Sequence, residues 1–233
     1  MMAQTLSRLG GAALDLLYPQ RCVLCERYGA FLCDTCRDSL PHADGWRCDA
    51  CWLPLRGPEC EACAEHPTAL RQLRSVYRYE GGVRTLVHAF KFRGQSSLGK
   101  TLAAEMSRCY AEQGLDADVI VPVPLTTARR RSRGYNQALL LAREIARETG
   151  VPVAEALRRS GRSTPQAQTA TAEQRRQNVT GAFETARPAE VEGRRVLLID
   201  DVATTGATLS ACAGELLAAG AAEVSGLTFG RED

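Results

Sequence analysis

The sequence predicts an α/β protein in which a parallel sheet with helices on its faces follows a small metal-stabilised module. From about residue 70 onward, short apolar runs of strand length alternate with longer helical patterns, as they do in βαβ units. Most of the cysteines fall within residues 22–63. The chain has 233 residues, enough for one mid-sized α/β domain and a small module. We therefore expect the module at residues 17–66 and the α/β domain at residues 70–233.

The first residues predict a short helix and no membrane segment. Apolar side chains across residues 5–18, including Leu6, Leu9 and Leu16, follow near-helical spacing, which indicates an amphipathic helix packed on the rest of the chain. No apolar run approaches the roughly 20 residues that cross a membrane. These residues also make a poor signal peptide, because only Arg8 precedes a short mixed stretch. We expect a cytoplasmic protein without membrane insertion.

Four Cys-x-x-Cys pairs predict two structural zinc sites. Each two-residue spacing lets both sulfurs of a pair reach one tetrahedral ion, and so short a segment buries too little apolar surface to fold without one. A disulfide framework is the alternative, and it fits poorly with a cytoplasmic chain. Sequential pairing is favoured over an interleaved, cross-braced pairing, because each half is then the same unit repeated. The expected zinc ligands are Cys22, Cys25, Cys33, Cys36, Cys48, Cys51, Cys60 and Cys63.

The charge of the chain is divided unevenly between its two parts. Residues 1–66 hold six arginines and nine acidic residues, a net charge of −3, whereas residues 67–233 hold 23 basic and 18 acidic residues, a net charge of +5. Two tetrathiolate zinc sites add about −4 to the module. An acidic module does not attract nucleic acid. We therefore expect Trp46 and Trp52 to pack around the metal knuckles, with base stacking as the alternative.

The α/β region predicts its elements in alternating order. Strands are expected at residues 75–79, 118–122, 196–199 and 223–229, and helices at 82–92, 97–113, 136–149 and 207–219. Cys109 and Cys212 lie in helical patterns and are expected to be buried as small hydrophobic side chains. Residues 160–180 are polar, and we expect a mobile hood or lid there. Ligands of such sheets bind beyond the carboxyl ends of the strands.

The most informative stretch is residues 196–208, an apolar run followed by Asp200, Asp201 and a turn of small and hydroxyl side chains. Backbone N–H groups and hydroxyls of such a turn wrap a phosphate, and the following helix N-terminus favours its charge. Paired carboxylates accept hydrogen bonds from vicinal sugar hydroxyls. The run predicts a pocket for a ribose 5-phosphate. The alternative is a strand with an acidic end and an ordinary turn.

An arginine-rich segment follows the strand predicted at 118–122. Residues 129–137 read Arg-Arg-Arg-Ser-Arg-Gly-Tyr-Asn-Gln. We expect an arginine-rich loop that binds a pyrophosphate, because guanidinium groups bind phosphate oxygens in bidentate fashion. A solvated charge run and a nucleic-acid patch are the alternatives. Asn136 and Gln137 are expected to orient that loop.

Together these motifs resemble the ComF family. The resemblance rests on the four cysteine pairs, Lys91-Phe-Arg-Gly94, Val121-Pro-Val-Pro124, Arg133-Gly-Tyr-Asn-Gln137, Arg175-Arg-Gln-Asn-Val179 and Leu198-Ile-Asp-Asp-Val-Ala-Thr-Thr-Gly206. It spans about residues 17–231. Members of that family combine a double zinc ribbon with a type I phosphoribosyltransferase fold, and they are linked to bacterial competence and DNA uptake.

The resemblance implies roles for residues of this chain. Asp200 and Asp201 would bind the ribose hydroxyls of phosphoribosyl pyrophosphate (PRPP) as catalytic residues and help to hold hydrated Mg²⁺, in addition to the two Zn²⁺ ions. The 5-phosphate would bind to Ala203, Thr204, Thr205, Gly206, Ala207 and Thr208. The pyrophosphate would bind to Val123, Arg129, Arg130, Arg131 and Arg133. Single-stranded DNA and a competence helicase-type protein are the further partners that the resemblance implies.

Three functions fit these expectations. The first is a phosphoribosyl transferase whose acceptor the sequence does not identify. The second is a non-catalytic PRPP-sensing adaptor. The third is a single-stranded DNA-handling module that uses the basic C-terminal domain.

Overall fold

The computed structural model describes residues 20–92, 96–160 and 181–233. The helix predicted at 5–18 lies outside them, as does the lid predicted at 160–180 apart from its first residue. The described helices are α1 (Asp34–Asp38), α2 (Glu61–Glu65), α3 (Gly81–Phe92), α4 (Leu98–Glu112), α5 (Thr127–Arg133), α6 (Gln137–Thr149) and α7 (Ala207–Ala218). The strands are β1 (Gln72–Arg78), β2 (Val119–Pro122), β3 (Leu157–Arg159), β4 (Phe183–Thr185), β5 (Arg195–Ala203) and β6 (Glu223–Arg231).

Four of the strands form a parallel sheet in the order β1-β6-β5-β2. The predicted α/β class is therefore confirmed. β2 ends at Pro122 opposite Ile199 of β5, so the chain leaves β2 one position before the two consecutive carboxylates of β5. The backbone N–H of Val123 donates to the carbonyl of Ile199 at 3.0 Å. This register brings the loop after β2 beside the carboxyl end of β5.

The sheet buries both of its faces. Leu197 and Ile199 of β5 pack in one cluster with α3, α4 and α6, whereas Val196 and Leu198 pack in a second cluster with α7. Alternate side chains of a strand point to opposite faces, and a strand covered on both faces is a continuous apolar run. The run at residues 196–199 satisfies both conditions, which explains why this strand was recognisable in the sequence.

The helices begin and end where the sequence supplies caps. Asn136 precedes α6, and its side-chain oxygen accepts a hydrogen bond from the N–H of Ala138 at 3.0 Å. Gly150 ends the helix with φ 77°, a left-handed conformation that costs glycine little. Leu141 and Ile145 are completely buried against the sheet. The helix predicted at 136–149 is therefore confirmed to within one residue.

The structure differs from the sequence predictions at several elements. The strand predicted at 196–199 continues through both carboxylates to Ala203, because β6 pairs with it as far as Arg231. The arginine-rich segment is the helix α5 and not a loop: Thr126 caps it by accepting from the N–H of Arg129. An antiparallel pair of three-residue strands, β3 and β4, was not predicted.

The cysteine module packs against the α/β domain, and its apolar side chains belong to the buried clusters of that domain. Leu32 and Leu40 are buried in the same cluster as α3 and α4, and Trp52 is buried in the cluster of α7. The indole N–H of Trp52 donates to the carbonyl of Ser75 at 3.1 Å. Trp52 is thus buried as expected, although its partners lie in the α/β domain, whereas Trp46 is 63% exposed and does not pack as expected.

Among residues 20–92, 96–160 and 181–233, the structure contains no helix whose length and apolar character would allow it to cross a membrane.

Candidate functional site

The two consecutive carboxylates lie at the carboxyl end of β5. They are side by side in the chain and so point to opposite faces of the sheet. Asp201 is buried and forms an ion pair with Lys91 of α3, with 2.6 Å between Nζ and Oδ1. Asp200 is half-buried, and its Oδ1 accepts the N–H of Asp201 at 2.8 Å. Burial and the Asp201 carboxylate raise the pKa of Asp200 to about 7.

The raised pKa of Asp200 predicts a pH-dependent gain in stability for Asp200→Asn. A carboxyl whose pKa is higher in the folded than in the unfolded chain destabilises the fold once it ionises. The ordinary pKa is 3.8 and the folded one is about 7. The melting temperature of Asp200→Asn should therefore equal that of the wild type near pH 4. The difference in melting temperature should grow up to about pH 7 and stay constant at higher pH. A constant difference across pH 5–8 in thermal unfolding would contradict this.

The turn after β5 has the form predicted for a phosphate site. Thr204, Thr205 and Gly206 connect β5 to α7, so Ala207 and Thr208 already belong to the helix. Gly206 has φ 75°, and the Thr205 hydroxyl accepts the N–H of Ala207 at 3.3 Å. The first N–H groups of an α-helix have no partners within the helix. A phosphate at this turn would therefore meet backbone donors and the positive end of α7.

The arginine helix α5 presents two kinds of side chain. Arg129, Arg130 and Arg131 are exposed. Arg133 is half-buried: its Nη1 donates to Oε1 of Gln137 at 2.9 Å, and its guanidinium lies 4.8 Å from the ring centroid of Phe92. Burial lowers the pKa of Arg133 below its ordinary value, and the nearby carboxylates of Asp201 and Asp200 offset only part of that shift. Arg133 therefore lies close enough to Asp201 and Asp200 for their charges to act on it.

Asn136 and Gln137 hold the segment between β2 and α6. The Asn136 side chain donates to the carbonyl of Val123 at 3.2 Å, and Gln137 is 1% exposed while accepting from Arg133. Val123 is itself buried, and both its N–H and its carbonyl are engaged in the fold. These contacts are those of orienting residues.

The eight clustered cysteines form two groups of four. Cys22, Cys25, Cys33 and Cys36 lie within 4.8 Å of one another at their sulfurs, as do Cys48, Cys51, Cys60 and Cys63. Sulfurs of different pairs approach one another to 3.6 Å in the first group and to 3.5 and 3.8 Å in the second. A tetrahedron with Zn–S bonds of ~2.3 Å has edges of about 3.8 Å. The donor set fits zinc, and sequential pairing is confirmed.

A cleft of about 620 Å³ separates the second cysteine group from the turn after β5. Cys51 and Cys63 line it together with Thr204 and Thr205. Arg231 bridges the cysteine group and the turn: its Nε donates to the carbonyl of Cys51 at 2.9 Å, and its Nη1 donates to the carbonyls of Ala203 and Thr204. Arg231 therefore connects the backbone of the cysteine module to the backbone of the turn.

Sequence reasoning missed two residues of this region. Lys91 was noted only as part of a motif, and its pairing with Asp201 depends on α3 crossing the sheet. Arg231 was not singled out, because nothing local distinguishes an arginine at the end of a strand. The two isolated cysteines were placed correctly: Cys109 and Cys212 are both buried.

The chain combines a phosphoribosyl transferase domain with a double zinc ribbon. Residues 135–229 match the family described as "Phosphoribosyl transferase domain", and residues 13–66 match the family described as "Double zinc ribbon domain".

Relatives that span most of this chain show the family to which it belongs. "Competence protein ComFC" of Bacillus subtilis is 33% identical over 85% of this chain and 83% of its own length. "DNA utilization protein YhgH" of Escherichia coli is 32% identical over 90% of this chain and 96% of its own. "Competence protein F" of Haemophilus influenzae is 32% identical over 77% and 88%. The chain belongs to the ComF family.

Proposed function

We propose that this chain binds Mg-PRPP at the carboxyl edge of the parallel sheet. The observation that supports this most strongly is that one edge holds three complementary groups. They are the turn at 204–206 for a phosphate, the carboxylates of Asp200 and Asp201 for ribose hydroxyls, and Arg133 for a pyrophosphate. Each group matches a different part of the same molecule.

The two carboxylates also suit a hydrated magnesium ion. Mg²⁺ prefers oxygen ligands, keeps several waters and binds chiefly through substrate phosphates. Asp200 and Asp201 repel each other, which contributes to the raised pKa of Asp200, and a divalent cation would offset that repulsion. When bound with PRPP, the ion would neutralise part of the pyrophosphate charge. Asp200 and Asp201 would hold its water ligands.

Thermal unfolding with ligand fragments tests the proposal. A ligand that binds only the folded state raises its stability, by about 2.7 kcal/mol at 100 times Kd. Mg-PRPP should raise the melting temperature, and ribose 5-phosphate should raise it less. Inorganic tripolyphosphate controls for nonspecific anion binding. Magnesium should be omitted rather than chelated in the blank, since a chelator would also remove zinc. An equal shift with tripolyphosphate would contradict a specific PRPP site.

A PRPP site of this kind serves either to transfer the phosphoribosyl group to an acceptor or to sense PRPP without reaction. In transfer, an acceptor nucleophile forms a bond to the anomeric carbon while the bond to pyrophosphate breaks, and pyrophosphate leaves with the electron pair. In sensing, PRPP binds and dissociates unchanged. Pyrophosphate release that depends on an added acceptor would establish transfer. Binding without release, across nucleobases and amines, would favour the adaptor role.

A second function, binding of single-stranded DNA, is favoured by the three exposed arginines of α5. Relatives of this chain carry the names "DNA utilization protein" and "Competence protein". Arg129, Arg130 and Arg131 project from the domain with net positive charge, and arginines bind nucleic-acid phosphates with strong salt dependence. We place the DNA contact on this helix and not on the acidic cysteine module.

Replacing Arg129, Arg130 and Arg131 together with alanine should weaken DNA binding. Loss of three phosphate contacts should reduce the slope of log K against log salt by about 2 for a single strand. The matched control replaces three exposed arginines of the cysteine module, Arg21, Arg27 and Arg56. Fluorescence anisotropy with a labelled oligonucleotide measures both variants. If only the control variant loses DNA binding, the cysteine module is the DNA-binding element.

A further inference from the structure

Arg231, the last residue of β6, is the most deeply buried charge that touches the candidate phosphate turn. It is 1% exposed. Its Nη1 donates to the carbonyl of Glu232 at 2.6 Å, to that of Ala203 at 3.2 Å and to that of Thr204. Its Nε donates to the carbonyl of Cys51 at 2.9 Å. One guanidinium therefore holds the backbone of the turn and the backbone of a metal-site cysteine at the same time.

The buried guanidinium of Arg231 needs surroundings that offset the free-energy cost of removing it from water. A guanidinium removed from water is costly unless hydrogen bonds and opposite charge compensate it. The carbonyl oxygens supply the hydrogen bonds. A zinc ion held by the thiolates of Cys48, Cys51, Cys60 and Cys63 forms a centre with a net charge of about −2, and Arg231 bonds directly to one of its ligand residues. The second metal site and the carboxylate of Asp233 thus supply the negative charge that a buried arginine needs.

The same contacts fix the geometry of the turn. The carbonyls of Ala203 and Thr204 end β5 and open the turn, so their orientation sets the direction of the next N–H groups. The carbonyl of Ala203 also accepts the N–H of Glu232 at 2.9 Å, so two donors hold it in place. Phosphate binding by backbone donors depends on their positions being fixed before the ligand arrives.

We propose that Arg231 is a positioning residue that couples the second zinc ribbon to the 5-phosphate turn. The second metal site is then part of the PRPP-binding apparatus, whereas the first is not. This inference rests on the proposed binding of PRPP. It assigns to the second ribbon a role beyond folding, because a metal-loaded Cys51 segment keeps the turn in its binding conformation.

The experiment compares Arg231→Met with Arg47→Met in the full-length, zinc-loaded chain. Arg47 is a matched control because it is 8% exposed and lies in the second ribbon, which Arg231 contacts. It donates hydrogen bonds to the carbonyl of Trp52 and to the carboxylate of Asp233. It has no hydrogen bond to the turn among those of the described residues. Both variants should lower the melting temperature. Only Arg231→Met should weaken PRPP binding, by 10-fold or more, while Arg47→Met stays within 2-fold of wild type.

Fragment binding separates positioning from general damage. Because Arg231 acts on the turn, Arg231→Met should weaken ribose 5-phosphate but leave pyrophosphate affinity within 2-fold of wild type. Arg231→Lys keeps the charge with fewer donors and should give an intermediate loss of PRPP affinity. It also serves as the test variant if Arg231→Met does not fold. Equal PRPP affinity in Arg231→Lys and wild type, or equal losses in the Arg231 and Arg47 variants, would overturn the coupling. A wild-type chain that does not bind PRPP would instead refute the proposed function.

Discussion

Cys33→Ser is expected to abolish one zinc site and unfold the first ribbon. Structural zinc contributes ~10–16 kcal/mol to the folding of small zinc-finger peptides, far more than the few kcal/mol of most substitutions. The wild type should carry two zinc ions per chain by elemental analysis, and Cys33→Ser should carry one. The variant should also be less soluble, because Leu32 and Leu40 of this ribbon belong to the buried cluster beneath α3 and α4.

The matched control is Cys109→Ser. Cys109 is buried in α4 and lies outside both cysteine groups, so this variant should keep two zinc ions despite some loss of stability. The PRPP affinity of whatever folded Cys33→Ser protein remains should match that of wild type, since the first ribbon does not contact the turn through Arg231. A wild type that lacks metal, or that has paired its clustered cysteines as disulfides, would contradict the assignment of the ribbons.

Asp201→Asn is expected to weaken Mg-PRPP binding by about 10- to 150-fold, since a hydrogen bond to a charged group contributes ~1.5–3 kcal/mol. The variant removes a charged acceptor from the carboxyl edge of β5. It also leaves Lys91, its partner at 2.6 Å, without an opposite charge. Thr205→Val should cost less, because it removes one hydroxyl.

Asp118→Asn is the matched control for Asp201→Asn. Asp118 immediately precedes β2 and pairs with Arg195 at the start of β5. It therefore lies at the amino ends of these two strands, opposite to the carboxyl end that holds Asp201. Loss of that exposed pair should leave PRPP affinity unchanged. If calorimetry shows equal losses for the two variants, the carboxylate pair of β5 has no special part in binding.

The central βαβ unit was predictable because its signals are local. Four apolar residues, two acids and a run of small hydroxyl residues stand in sequence at 196–208, and in the structure they form β5, the turn at 204–206 and the start of α7. The cysteine groups were predictable for the same reason, since each Cys-x-x-Cys pair carries its own spacing. The exact end of β5 was not, because its continuation to Ala203 depends on pairing with β6.

The remaining features depend on contacts between distant parts of the chain. Arg231 bonds to Cys51 across 180 positions, and Lys91 meets Asp201 only when α3 packs over the sheet. The three-residue strands β3 and β4 are too short to show a period. The arginine helix α5 was mistaken for a loop because seven residues with four arginines present no apolar face, although Thr126 and Gly134 mark its ends.

Isothermal titration calorimetry of the zinc-loaded wild type with PRPP in millimolar Mg²⁺ tests the central claim most directly. We expect saturable binding at one site per chain, weakened when magnesium is omitted and weakened further in Asp201→Asn. Heats that do not saturate, or a wild type indistinguishable from Asp201→Asn, would contradict the claim that the carboxyl edge of this sheet is a PRPP site.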